Sequence, residues 1–285
     1  MNIGVVAVDS LIYNLALMRL SAWHKAQGDH VEIAFPLAAD TYDRVYRSKQ
    51  FIERLTPKGV EYPDDDIPWP CEVVSGGTGY DLTTSLTADQ DTTYPDYGLY
   101  GCAHALGRIT RGCVRRCPWC VVWRQDGTVR QVAELGDFWR GQSRIRLLDD
   151  NLTALPDLFI ETCTVLAKAR VEVMFEALDI RFIDDAAARS LAQVKRWGRV
   201  HFAFDSTEQE PAVRRGIAAL RAGGFPISQA TFYVLIGFNT GLDDWLYRVE
   251  LLDELGVESY VMPFDRGDRL QMRFARWCIA KPAFR

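Results

Sequence analysis

The chain has 285 residues, 48% of them hydrophobic and 25% charged, with a formal net charge of −5 and a pI near 5.5. This balance excludes a disordered or fibrous chain and leaves no global electrostatic case for binding a nucleic-acid backbone. Seven cysteines, an odd count, argue against a disulfide framework and for a reducing compartment.

The opening Met1 to Asp9 lacks a basic n-region, and Ser10 to Gly28 carries Asn14, Arg19, His24 and Lys25. Neither a signal peptide nor a membrane span is therefore expected, and a cytoplasmic protein is. Ile3 to Val8 predicts a buried strand, and Leu15, Met18 and Ala22 recur at helical spacing before Gly28 closes the helix. Val31 to Phe35, Asp43 to Ser48 and Glu72 to Ser75 add further strands. Strand, helix, strand in this order predicts a small Rossmann-like α/β domain over residues 1–80, and the turn-rich stretch after it predicts a linker over 81–104. Gly76-Gly-Thr-Gly79 reads as a turn in preference to a phosphate cradle, because no helix-leading Gly-x-Gly-x-x-Gly follows a strand there.

Cys113-Val-Arg-Arg-Cys117-Pro-Trp-Cys120 places three thiols in one short loop. Burial alone would scatter cysteines, and a closed zinc site wants four ligands, usually in two pairs. Cys163 and Cys278 stand singly and His104 is the one nearby imidazole, so the favoured object is an iron–sulfur cluster with one iron left without a protein ligand. Around the loop, Arg108, Arg111, Arg115, Arg116, Arg124 and Arg130 face a single acid, Asp126. Two readings of this run stay open. It is a solvated basic face, or it is a rim that receives an anionic substrate or an acidic electron donor such as a flavodoxin or ferredoxin.

From about residue 105 strands and helices alternate. Candidate strands are His104 to Thr110, Ile145 to Leu148, Val171 to Phe175, Arg199 to Phe204, Gln229 to Leu235 and Val257 to Met262, too few steps for a closed eight-stranded barrel. Asp268 to Cys278 reads as an amphipathic helix in the tail, 266–285. Parity along the strands splits two sets. Val171, Val173, Phe175, Val200, Phe202, Phe204, Phe232, Val234 and Ile236 suit an outer face packed on helices. Glu172, Met174, Glu176, His201, Ala203, Asp205, Thr231, Tyr233 and Leu235 would face inward, a set too polar for a lumen filled only for stability.

The Cys-x-x-x-Cys-x-x-Cys loop, with Trp119 just before its third cysteine, resembles the signature of the radical S-adenosylmethionine enzymes. Val173 to Arg181, His201 to Asp205 and Tyr233 to Gly241 are similar to the third, fourth and fifth strand regions of that family. The resemblance covers residues 105–265 and implies a partial (β/α)6 barrel, a [4Fe-4S] cluster and S-adenosyl-L-methionine as cofactors. It further implies reductive cleavage to a 5'-deoxyadenosyl radical that takes hydrogen from an unknown substrate. Cys113, Cys117 and Cys120 would hold the cluster. Trp119 would lie by the adenine, Asp149, Asp150 and Asn151 would meet the methionyl amino group, and Asp205 would accept from the ribose hydroxyls.

For Arg181 the methionyl carboxylate competes with a plain salt bridge to Asp179 or Asp184. Ile236 and Gly237 would border the adenine, and Glu176 and Met262 complete the cofactor-binding set at the ends of the third and sixth strands. His201 and Tyr233 are candidate proton or hydrogen donors, beside the plainer reading of satisfied core residues. The segment before the loop resembles the cobalamin domains of some radical enzymes, yet the Asp-x-His-x-x-Gly motif of those domains is absent, which disfavours cobalamin. Two alternatives stay in view. A methylthiotransferase-like modifying enzyme would lack its auxiliary cluster here, since only Cys71 and Cys102 lie upstream. An iron–sulfur electron-transfer or sensing module would not cleave S-adenosylmethionine at all.

Overall fold

The computed structural model describes residues 1–9, 13–51 and 67–280. It is a mixed α/β chain with parallel sheets, and it divides into two compact units, one of residues 1–107 with 133–141 and one of residues 108–132 with 142–285. Parts of the 1–80 domain and residues 281–285 of the tail lie outside the described residues.

In the first unit β1 (Asn2–Ala7), β2 (His30–Ile33), β3 (Arg44–Ser48) and β4 (Glu72–Gly76) form one parallel sheet in the order β2-β1-β3-β4. Alternation along β1 sends Ile3 and Val5 to one face, where they meet Leu17 and Leu20 of helix α1 (Leu15–Ala26). Val6 and Val8 go to the other face, against Tyr42, Val45 and Trp69. Both faces are thus covered, as is common for a parallel sheet. Asn14 caps α1 by accepting from Leu17 N–H at 3.1 Å.

The stretch 81–104, expected as a linker, is fastened to α1. It carries the short helix α2 (Ala88–Asp91). Arg19 pairs with Asp91 at 2.5 Å, Lys25 with Asp96 at 2.6 Å, and Ser21 and Trp23 donate to Asp96 and Asp89 at 2.7 and 2.8 Å. Its acids answer the polar flank of a helix some seventy residues earlier in the chain. Strand β5 (Ala105–Gly107) closes this part of the unit.

In the second unit β6 (Thr110–Arg111) and β7 (Arg130–Gln131) pair antiparallel, flanking the short helix α3 (Val122–Gln125). The parallel strands β8 (Arg144–Leu147) and β9 (Glu172–Phe175) follow, then β10 (Val200–Ala203), β11 (Ala230–Ile236) and β12 (Glu258–Pro263). Between them run α4 (Pro156–Ala169), α5 (Asp185–Gln193), α6 (Glu210–Ala222) and α7 (Leu242–Glu254), and α8 (Arg269–Ala280) comes last. Proline opens α4 and α6, where no intrahelical N–H is required, and Asp184 caps α5 by accepting from Ala187 N–H at 2.8 Å.

The expected parity holds on β9, β10 and β11. Val173, Phe175, Val200, Phe202, Phe204, Phe232, Val234 and Ile236 are buried, while Met174, Glu176, His201, Ala203, Asp205, Tyr233 and Leu235 are half-exposed on the opposite face. Thr231, placed on that inner face by parity, is instead fully buried with no hydrogen bond to its hydroxyl. Each buried aromatic on the packed face contributes on the order of 1.5–3 kcal/mol.

A buried arginine fastens the strand ends. Arg248 of α7 has no exposed surface, donates from Nη1 to the carbonyls of Phe204 at 2.9 Å and Leu235 at 3.0 Å, and pairs through Nε with Asp244 at 2.8 Å. With these partners the buried charge is compensated.

Candidate functional site

The cysteine loop is tied off at its base by the β6–β7 ribbon. Cys113 N–H donates to Gly127 O at 3.1 Å. Gly112 has φ +85°, and a Cβ there would stand 2.7 Å from the carbonyl oxygens of Gly127 and Thr128, so the crossing requires glycine. Inside the loop Cys120 N–H and the Trp123 indole both donate to Cys117 O at 3.0 Å. Cys113, Cys117 and Cys120 are half-buried while Val114, Arg116 and Pro118 between them are exposed, so the thiols turn to the sheltered side. Burial first, and then the neighbouring thiols, push Cys117 and Cys120 above the ordinary thiol range.

No three His, Cys, Asp or Glu side chains among the described residues converge as one metal ion requires. N–H groups already point at one of the sulfurs: Arg115 N–H and Asn151 Nδ2 donate to Cys113 Sγ at 3.4 and 3.3 Å. Three thiols on one loop with such donors fit the ligand set of a cluster.

The segment after β8 holds this loop from behind. Asp149 is buried, its Oδ1 accepting from Ile109 N–H at 3.1 Å, Thr110 N–H at 2.6 Å and the Thr110 hydroxyl at 2.7 Å. Burial raises its carboxyl to about 6. Asp150 accepts from Gly112 N–H at 3.0 Å, and burial raises it too. Asn151 reaches Cys113. Expected at the methionyl amino group, these three side chains are engaged with the loop's own atoms.

After β9, Asp179 organises a charged knot. Arg181 grips it with two bonds, Nε to Oδ1 at 2.7 Å and Nη2 to Oδ2 at 2.8 Å, a fork-on-carboxylate geometry. Arg115 from the cysteine loop reaches Oδ2 at 3.4 Å. Of the partners weighed for Arg181, the structure shows Asp179. Asp205, after β10, accepts from Leu235 N–H at 3.0 Å. Burial raises its carboxyl against the pull of Leu235 N–H, Arg248 and Arg181, and it lies near enough to Cys117 and Cys120 to act on both.

Toward the middle of the sheet, His201 stacks on Tyr233 with ring centres 4.9 Å apart, and Tyr233 meets Tyr260 edge-on at 5.6 Å. Glu176 pairs with Arg146 of β8, and Glu172 at the far end pairs with Arg144 at 2.7 Å and Lys195 at 2.9 Å. Burial lowers His201 and raises Tyr233, which favours both as neutral rings, and His201 Nδ1 is buried without a hydrogen bond.

Trp119 meets Phe238 edge-on at 5.2 Å. Ile236 is buried with the packed set, and Met262 is exposed. Gly237 has φ +86°, and a Cβ there would collide with the Gln271 side chain, so the close approach this glycine permits is to α8. The sequence marks Asp179 only as a salt-bridge partner and Arg115 only as a rim charge, and gives no sign of Thr153, which accepts from Asp179 N–H at 2.9 Å. The one available signal was Asp179 two positions before Arg181.

Parallel strands with a three-thiol loop beside the acids that follow β8, β9 and β10 define an architectural class. Its fold is shared with the radical S-adenosylmethionine methyltransferase TsrM from Kitasatospora setae, whose structure holds cobalamin and a [4Fe-4S] cluster. The two are similar at a TM-score of 0.69 and 12% identity, over 98% of this chain and 78% of that one. No protein-family profile and no curated protein matches the sequence.

Proposed function

We propose that this chain is a radical S-adenosylmethionine enzyme, with Cys113, Cys117 and Cys120 holding a [4Fe-4S] cluster. The observation that carries this reading is the three-thiol loop, fastened by Asp149, Asp150 and Asn151, in a chain that shares a fold with TsrM. When bound, the cluster and S-adenosylmethionine supply reductive sulfonium cleavage and the 5'-deoxyadenosyl radical that takes hydrogen from substrate.

The protein's own residues bind, orient and exclude water. Trp119 borders the adenine with Met262 and with the main chain at Ile236 and Gly237. Asp205 takes the ribose hydroxyls, and Arg181 meets the methionyl carboxylate by exchanging part of its hold on Asp179. Glu176 and Arg146 face the substrate with His201 and Tyr233, whose neutral rings suit proton or hydrogen donation. The strand series from 105 to 263 is then a partial (β/α)6 barrel, and the first unit is Rossmann-like. An acidic flavodoxin or ferredoxin in a reducing cytoplasm would serve as electron donor at the arginine-rich rim. No helix among the described residues is long and apolar enough to cross a membrane.

A second reading, methyl transfer with cobalamin on the first unit, is favoured by two observations. The fold likeness to a cobalamin-bound methyltransferase extends over 98% of this chain, and the sheet order β2-β1-β3-β4 leaves a ligand-accepting switch point between β1 and β3. The missing Asp-x-His-x-x-Gly motif means that any cobalamin would bind without that histidine.

Anaerobic reconstitution with iron and sulfide, then S-adenosylmethionine and dithionite with and without cobalamin, separates the readings by chromatography. 5'-Deoxyadenosine alone supports hydrogen abstraction, and S-adenosylhomocysteine that appears only with cobalamin supports methyl transfer. Neither product would leave an electron-transfer or sensing module. Alanine at Cys113, Cys117 or Cys120 should abolish turnover, and retained activity would overturn the cluster assignment.

A further inference from the structure

Asn151 is 3% exposed, and its amide is held in one orientation. Asp179 N–H donates to Thr153 Oγ1 at 2.9 Å, which uses that oxygen as an acceptor and leaves the threonine hydrogen to be given away. It goes to Asn151 Oδ1 at 3.0 Å, since the other acceptor, Asp179 O, lies at 3.5 Å. With Oδ1 fixed as an acceptor, Nδ2 is the edge that faces Cys113 Sγ at 3.3 Å and Asp179 Oδ2 at 3.4 Å. Reversing the amide would aim an oxygen at a sulfur and a carboxylate, losing both bonds from Nδ2 and sending the Thr153 hydrogen to the longer contact with Asp179 O. Asp179 is itself immobilised by Arg181 and Arg115.

We propose that Asn151 is a positioning residue for Cys113 whose oriented N–H···S bond makes the bound cluster easier to reduce. This rests on the reading of the cysteine loop as a cluster site. Reduction places additional negative charge on the cluster and its thiolates, and a hydrogen-bond donor stabilises the more negative state, so the bond raises the reduction potential. Arg115 N–H also donates to this sulfur but belongs to the backbone, so the side-chain donor is the one a substitution can remove. Asn151 is thereby committed to the cluster and not free for the methionyl amino group.

The test is a redox titration of reconstituted protein, followed by the electron paramagnetic resonance of the reduced cluster, in the absence of S-adenosylmethionine. Asn151→Leu, which fills similar space without a donor, should shift the midpoint to a more negative potential. Thr153→Val leaves Asn151 in place but frees its amide, and should give a smaller shift in the same direction. Turnover lost in Asn151→Leu with a flavodoxin donor should return with a stronger chemical reductant, which a merely structural defect would not do. Unchanged midpoints at wild-type cluster content would overturn the proposal and leave the cluster reading standing. Wild-type protein that takes up no cluster would overturn that reading and this proposal with it. Should Asn151→Leu fail to retain the cluster, the Thr153→Val midpoint decides.

Discussion

The sheet around β1 and the sheet of β10, β11 and β12 use the same alternation of side chains to different ends. In the first unit both faces of β1 are packed, Ile3 and Val5 on one side and Val6 and Val8 on the other. On β10 and β11 one face is packed with Val200, Phe202, Phe204, Phe232, Val234 and Ile236, while the other presents His201, Asp205 and Tyr233 half-exposed. A sheet covered twice is committed to stability. One covered once keeps a face on which polar groups can be placed for chemistry.

Substitutions across the two sheets can break this contrast. Phe232→Ala, on the packed face, should lower stability by about 3–5 kcal/mol in urea titration, and a loss below ~1 kcal/mol would mean that this face is not a core. The acids behind the cysteine loop add a pH signature. The folded Asp149 carboxyl keeps its proton up to about 6, whereas the unfolded one releases it near 3.8. Between those values the native state binds more protons, so its stability falls as pH rises through the window, by roughly 3 kcal/mol, and levels above it. Asp149→Asn keeps an acceptor for Thr110 and should flatten that slope; parallel wild-type and variant curves between pH 4 and 6 would contradict it.

A finer contrast comes from the first unit. Val5→Ala and Val6→Ala point to opposite faces and should each cost about 2 kcal/mol, and a neutral outcome at either would show that one face is open. Tyr233→Phe, next to Phe232, should change stability by less than about 1 kcal/mol while slowing turnover in the reconstituted enzyme. Equal losses of stability at 232 and 233 would erase the distinction between the two faces.

Much of this organisation was legible because strand and helix periods are local. The strand segments expected around 145, 172, 200, 230 and 258 carry β8 to β12, and the outer and inner sets followed from parity alone. What was hidden depends on pairs far apart in sequence. Nothing local marks Asn151 as a donor to Cys113, or Arg115 as a partner of Asp179, because the chain between them folds away and returns. The contacts of the stretch 81–104 are of the same long-range kind, its acids serving Arg19, Trp23 and Lys25. Nor does anything near Arg248 in the chain mark it as the donor to the carbonyls of Phe204 and Leu235.

Because lining and packing residues alternate one by one along β10 and β11, the scaffold keeps two nearly separate ledgers in a single stretch of chain. Selection or engineering can rewrite positions 201, 203, 233 and 235 to suit a new guest while the neighbours at 202, 204, 232 and 234 go on holding the helices. Diversity of chemistry on this architecture is then a matter of every second letter.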